Sequence, residues 1–325
     1  MTSLSPLSPL SPAAAADAVT ALVDEVSKAV IGKRPVLELI VAGLIADGHV
    51  LLDDVPGVAK TLTARSIATA AGLSYSRVQF TPDLLPADIT GATVLDLASR
   101  EPHFRAGPIF ASLVLADEIN RAPAKTQAAL LEAMQERQTT ADGVAHALPS
   151  PFLVIATQNP IESEGTYPLP EAQLDRFILR TTIGLPTREA EVEMVHRRLD
   201  RQVDEVVLHP VMDASTFVAL QRGLEQVQVQ QVMTDYVVDL VRSTRGVRDL
   251  LVGASPRGTL AVLKLSRATA LLAGRDFVTP DDVRSVAVPA LAHRVVLTAE
   301  AWARGVDPAD VVAAAIRSVP APSWQ

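Results

Sequence analysis

The chain has 325 residues, a net charge of −8 and a sequence pI of about 5.3, a length that predicts two domains rather than one. Its lysines and arginines are scattered and aromatics make up only 4% of residues, which argues against a nucleic-acid groove or a base-stacking platform. No cysteine is present, which excludes disulfides and thiolate chemistry, and the six histidines lack ligand-like spacing, so no structural metal is implied.

From the N-terminus, tandem Leu-Ser-Pro units fill Leu4 to Pro12, followed by Ala13 to Ala16. Proline at every third position opposes a helix, so residues 1–16 are expected to form a disordered tail. The N-terminal stretch carries no basic residue and no uninterrupted apolar core, so no secretory signal is expected and the cytoplasm is the expected location. Apolar runs such as Ile40 to Ile45 fall short of the ~20 residues that span a bilayer, so no integral membrane segment is expected.

Val50-Leu51-Leu52 reads as a buried strand, Pro56-Gly57 as a turn, and Thr61 to Ala71 as a helix with Leu62 and Ile67 facing inward. Between strand and helix lies a phosphate loop ending in Lys60-Thr61, with two of its usual glycines replaced by Asp54 and Ala59 and only Gly57 retained. The helix N-terminus would direct free N–H groups and its positive dipole end at phosphates, Lys60 would add a full charge, and Thr61 would hold magnesium. A carboxylate at Asp54 repels phosphate unless it turns inward and accepts hydrogen bonds from the loop's own backbone.

A second strand is expected near Arg77 to Phe80, followed by a segment of little helical period from Ala92 to Gly107. The run Leu113-Val114-Leu115-Ala116 then delivers Asp117 and Glu118 to its end. There Asp117 would position magnesium and Glu118 would polarise the attacking water. A hairpin is expected over Gln138 to Leu148, turning at Ala141-Asp142-Gly143, and a further strand over Phe152 to Ala156 leads to Asn159. This alternation predicts an α/β core over residues 17–185. Beyond Gly184-Leu185-Pro186-Thr187 the strands stop, and Thr279-Pro280-Asp281-Asp282 and Asp307-Pro308-Ala309-Asp310 read as capped helix starts. Residues 186–325 are therefore expected to form an all-α lid.

The chain resembles the MoxR-type AAA+ ATPases. The resemblance runs through Gln79 to Gly91, Ala116 to Pro123, Leu130 to Arg137, Ala156 to Pro160, Gly165 to Phe177 and Gly253 to Arg257, and covers roughly residues 15 to 318. It implies an AAA+ P-loop NTPase core with a parallel sheet and a C-terminal lid, acting on ATP with Mg2+ in a homo-oligomeric ring, a hexamer. A von Willebrand factor A-type partner protein and chaperone-like maturation or metal insertion are implied in the same way. In this family Asn159 matches the sensor-one residue. Arg257 matches sensor two, projecting onto the phosphates of its own subunit, and Arg176 matches the arginine finger that reaches a neighbour's nucleotide. Ile31-Gly32 matches the loop that packs on adenine, and Asp54, Val55, Pro56, Gly57, Val58, Ala59, Lys60, Thr61 and Leu62 match the nucleotide-binding segment. The segment from Ala92 to Gly107 would be a hairpin interrupting the second helix, and both hairpins would move with nucleotide state and touch a client. A metal-chelatase motor subunit, a nucleotide-gated scaffold with little hydrolysis and a DNA motor are the alternatives.

Overall fold

A computed structural model describes residues 9–96, 100–160 and 166–322. In chain order the first half comprises α1 (Pro12–Ser27), α2 (Arg34–Ile45), β1 (His49–Asp53), α3 (Lys60–Ala70), β2 (Tyr75–Gln79), α4 (Pro86–Thr90), β3 (Gly91–Leu95), β4 (Pro102–Ala106), β5 (Leu113–Asp117), α5 (Ala124–Glu136), β6 (Gln138–Ala141), β7 (Val144–Ala147), β8 (Leu153–Gln158), α6 (Glu171–Leu174) and β9 (Phe177–Thr181). The second half comprises α7 (Arg188–Arg201), α8 (Ala214–Gly223), α9 (Gln231–Ser243), β10 (Leu250–Val252), α10 (Pro256–Leu272), α11 (Pro280–Leu291), β11 (Val296–Leu297), α12 (Ala299–Ala303) and α13 (Pro308–Arg317).

Strands β2-β5-β8-β1-β9 form one sheet in that order, and every pairing in it is parallel. Parallel strands covered on both faces need apolar residues at successive positions. Accordingly Leu113, Leu115, Leu153 and Ile155 enter one core while Val114, Ala116, Val154 and Ala156 enter the other. The first core continues through α1, α2 and α3 into the lid, and the second is closed by α5 through Leu130, Leu131 and Met134. After β1 the chain crosses to β2 at the far edge, so β5 and β8 come to lie between them. The crevice at the carboxyl ends of β1, β8 and β5 is therefore where such a sheet binds ligands.

Helix α1 begins at Pro12, so residues 12–16 are helical rather than part of a disordered tail. Ser11 caps the helix by accepting from Ala14 N at 3.3 Å, proline takes the first turn where its missing N–H costs nothing, and the alanines that follow favour the helix. The Leu-Ser-Pro repeat before residue 9 lies outside the described residues. In α3 Ile67 is buried as expected, but Leu62 is 42% exposed, because it stands about 200° round the helix from the buried Ala64.

Antiparallel β3 and β4 form the first hairpin. It follows the five-residue α4 instead of interrupting a longer helix, since no helix separates β4 from β5. Its base is tightly crossed: a Cβ on Gly91 would lie 2.3 Å from Arg105 O, and one on Gly107 would lie 2.2 Å from Ile89 O. The second hairpin, β6-β7, turns at Asp142 (φ 48°) and Gly143 (φ 80°), the left-handed pair that two-residue hairpin loops require. Phe104 of the first hairpin stacks on His146 of the second, with ring centroids 3.7 Å apart and planes 12° from parallel.

The lid is helical but not all-α, because β10 and β11 pair antiparallel within it. It docks on the first residues of β9. Arg294 donates to Asp175 Oδ1 at 2.6 Å and to Phe177 O at 2.8 Å, and His293 Nε2 donates to Phe177 O at 3.0 Å. His49 is equally enclosed at the start of β1, with Nε2 donating to Met134 O at 3.1 Å and Nδ1 accepting from Val154 N at 3.0 Å.

Burial pushes both His49 and His293 down to about 3. The unfolded chain protonates these groups near the ordinary value of 6.5, so their stability is present above pH 6.5 and is lost as pH falls towards 3. Well inside that window each contributes a slope of about 1.4 kcal/mol per pH unit. The denaturant midpoint should accordingly fall between pH 7.5 and 5.5, and an unchanged midpoint would contradict the two enclosed histidines.

Candidate active site

The loop between β1 and α3 turns through Gly57 at φ 85° and Ala59 at φ 65°. Both are left-handed. Ala59 caps α3 in that conformation, so the absence of glycine there costs about 1–2 kcal/mol of backbone strain. Lys60 crosses the mouth of the loop, with Nζ donating to Asp54 O at 2.5 Å and Gln158 O at 2.9 Å. Partial burial lowers its pKa, against the opposing pull of Asp54, Asp117, Asp53 and Glu118.

Asp54 is buried and does turn inward. Its Oδ1 accepts from Val55 N at 2.9 Å, the one loop amide of the expected kind. Its Oδ2 instead accepts from Ile183 N at 2.7 Å and Gly184 N at 2.6 Å, in the chain leaving β9. The carboxylate is therefore directed away from the phosphate side and ties the loop to the segment leading into the lid. Ile31-Gly32 packs on the same segment. A Cβ on Gly32 (φ +72°) would lie 2.5 Å from Ala190 Cβ, and Lys33 Nζ donates to Leu185 O at 2.7 Å.

The carboxylates at the end of β5 lie beside the loop. Thr61 Oγ1 donates to Asp117 Oδ2 at 3.1 Å and Thr157 Oγ1 donates to Asp117 Oδ1 at 2.6 Å. Arg77 adds Nε and Nη2 to Oδ2 at 3.0 and 2.8 Å. Glu118 sits at φ 55°, and its Oε2 accepts from Gln79 Nε2 at 2.8 Å and Arg121 Nη1 at 3.0 Å. Its backbone N–H donates to Thr157 Oγ1 at 2.8 Å. Asn159 follows β8 and is buried, with its carbonyl near Asn120 Nδ2 at 3.5 Å.

The adjacent oxygens of Thr61 and Asp117 fit a small hard cation that takes its remaining ligands from water and phosphate. Among the described residues no group of His, Cys, Asp or Glu forms a cage that would hold a metal without such help.

Neither Arg176 nor Arg257 is at this loop. Arg176 Nη1 donates to Leu131 O at 2.5 Å, and Arg257 Nη1 lies 3.6 Å from Asp175 Oδ2. They line one cleft with His49, Met134, Gln135 and Asp175. His49 and Phe177 are paired first residues of β1 and β9, whereas the loop follows the last residue of β1. A five-residue strand separates them by about 16 Å. Arg257 consequently does not project onto the phosphate loop of its own subunit: the lid is pinned to the start of β9 by Arg294, and that docking carries Arg257 to the opposite end of the strand.

Sequence reasoning passed over Arg77, Gln79, Thr157 and Arg121, which hold the two carboxylates. A signal was present in part: Arg77 and Gln79 are two apart on a strand and so point to one face. Arg121 stands three residues after Glu118 in a single turn of 3-10 helix.

Comparison with known proteins identifies the family. Residues 49–179 match the ATPase family associated with various cellular activities (AAA), and residues 242–315 match the AAA lid domain. The chain is 43% identical over 307 residues to Chaperone MoxR1 of Mycobacterium tuberculosis, covering 92% of this chain and 81% of that protein. It is also 43% identical over 300 residues to YeaC of Bacillus subtilis, covering 92% and 93%. Protein MoxR of Methylorubrum extorquens is 32% identical over 323 residues, covering 92% and 93%. A Cytophaga hutchinsonii crystal structure assigned as an ATPase superposes with a TM-score of 0.88 at 36% identity, covering 95% of this chain and 96% of that one. With a parallel sheet, a phosphate loop, a carboxylate pair and these relatives, the chain belongs to the MoxR family of AAA+ ATPases.

Proposed function

We propose that the protein hydrolyses ATP with Mg2+ in a head-to-tail homo-oligomeric ring, a hexamer, and couples hydrolysis to chaperone-like remodelling or maturation of partner proteins. The observation that carries the reading is the meeting of Thr61 with Asp117 at 3.1 Å, beside Lys60 and Glu118, at the mouth of one loop. Bound magnesium would neutralise phosphate charge between Thr61 and Asp117. The chain's own residues would do the rest. Lys60 would exchange its two carbonyl partners for phosphate oxygens, and the amides opening α3 would cradle the phosphates. Glu118, held by Gln79 and Arg121, would orient and polarise water, with Asn159 beside the terminal phosphate. Ile31 and Gly32 would flank the base, next to Val55, Pro56, Gly57 and Val58.

Arg176 and Arg257 would act together on the neighbour's nucleotide, since both stand at the far end of β1 from their own loop. Arginine keeps its charge and matches phosphate oxygens with its planar fork, and a finger supplied in trans is worth on the order of 10³ to 10⁵ in rate. The stacked Phe104 and His146 link the two hairpins, which supports their moving as one client-facing unit. A von Willebrand factor A-type partner and a cytoplasmic location belong to the same reading; among the described residues no helix is long and apolar enough to cross a membrane.

Lys60→Ala should reduce ATP affinity by at least tenfold, while Glu118→Gln should bind ATP and release phosphate at under a hundredth of the wild-type rate; equal turnover in Glu118→Gln would remove it from the water-polarising role. Mixing tests the trans assignment. Arg176→Ala and Lys60→Ala chains, each inactive alone, should regain partial turnover when co-assembled, and co-assembly without rescue would count against Arg176. Asp54→Ala would leave the Ile183 and Gly184 amides without their carboxylate, at a cost of about 1–3 kcal/mol. It should lower the melting midpoint and weaken ATP binding several-fold, and wild-type behaviour in both assays would show that the tie does not matter.

A further inference from the structure

Helix α7 has the residue pattern of a helix with a partner, yet of its fourteen residues only Ala190 is buried. Val192, Val195 and Leu199 recur at the spacing that builds one helical face, and they are 42%, 51% and 65% exposed. A helix of this length is marginal in water unless its apolar face is packed. Its first turn belongs to the nucleotide site, because Thr187 caps it through Ala190 N and Ala190 rests on Gly32. The bare stripe therefore starts beside the loop and runs away from it.

A second exposed apolar surface borders the arginines. Leu260, one turn along α10 from Arg257, is 60% exposed. Leu251 and Trp302 are 71% and 76% exposed and line a groove with Val296 and Leu174, the latter two residues before Arg176. Tryptophan at that exposure is unusual on a free surface and common as the anchor of an interface.

We infer that the α7 stripe of one copy seats on the Leu251–Trp302 groove of a second copy. The inference rests on the ring reading above. Arg176 and Arg257 stand away from their own loop, so the face that carries them must meet the face that carries a loop. The stripe borders the latter and the groove the former, which is the geometry of a heterologous, head-to-tail contact. Charge supports the pairing at one end of the helix: the first turn of α7 carries Glu189 and Glu191, which can face the exposed Arg257 and Lys264 along α10.

The test uses the full chain with ATP, and follows assembly by light scattering and hydrolysis by phosphate release. Leu199→Glu and Trp302→Glu alter exposed side chains, and an unchanged melting midpoint verifies their folding. Each alone should need at least tenfold higher concentration to assemble, with a matching loss of turnover. Mixed, they retain one intact interface per pair and should give dimers but no rings. As an independent readout, the cysteine-free sequence lets a Leu199→Cys chain and a Trp302→Cys chain form a single diagnostic disulfide, expected as a cross-linked heterodimer on oxidation. If the wild type assembles while both glutamate variants assemble equally well, the docking assignment is wrong and the ring reading stands. A wild type that stays monomeric while hydrolysing ATP at a concentration-independent rate overturns both.

Discussion

The phosphate loop and the paired arginines stand at opposite ends of β1, a strand of five residues. That separation, about 16 Å, exceeds what a side chain can bridge, and much of the molecule is arranged around it. The lid is fixed at the start of β9 by Arg294 and His293, which holds Arg257 next to Asp175 rather than over the loop. A single chain thus carries a nucleotide-binding face and an arginine-bearing face that cannot serve each other. Under the proposed reading, the chemistry would be a property of two copies in contact, each supplying one of the two faces.

The charged groups around the loop are all partnered within the chain. Lys60 is held by two main-chain carbonyls, Asp117 by a threonine pair and Arg77, and Glu118 by Gln79 and Arg121. These partners prevent the desolvation penalties that unpaired charges would incur in a half-buried cleft. In the proposed reading Lys60 would exchange its carbonyl partners for phosphate oxygens, and Asp54 touches both Lys60 and the segment leaving β9. Its main-chain oxygen accepts from Lys60 while its carboxylate accepts from Ile183 and Gly184. Asp54 therefore joins Lys60 to the segment that enters α7 through direct hydrogen bonds.

Much of the sheet and the loop was legible in the sequence because their signals are local. An apolar run ending in Asp117-Glu118 and a Pro-Gly turn before Lys60-Thr61 declare strand ends without tertiary information, and Asp142-Gly143 declares a hairpin turn. What failed was set by distance or by a competing local rule. Asp54 finds its amides 129 and 130 residues further along, and no window of sequence contains both. The position of Arg257 depends on Arg294 reaching Asp175 across 119 residues. Residues 12–16 depart from the expected tail because proline at the first helical position behind Ser11 begins a helix rather than breaking one. Two short lid strands, β10 of three residues and β11 of two, carry too little pattern to stand out among helices.

In the proposed reading a complete site exists only between copies. The most direct measurement is the steady-state rate of ATP hydrolysis per chain over a wide range of protein concentration, read alongside particle size. Sites shared between copies would give a rate per chain that climbs as particles form and levels off when assembly is complete. A rate per chain that is constant down to concentrations at which only single chains exist would contradict it.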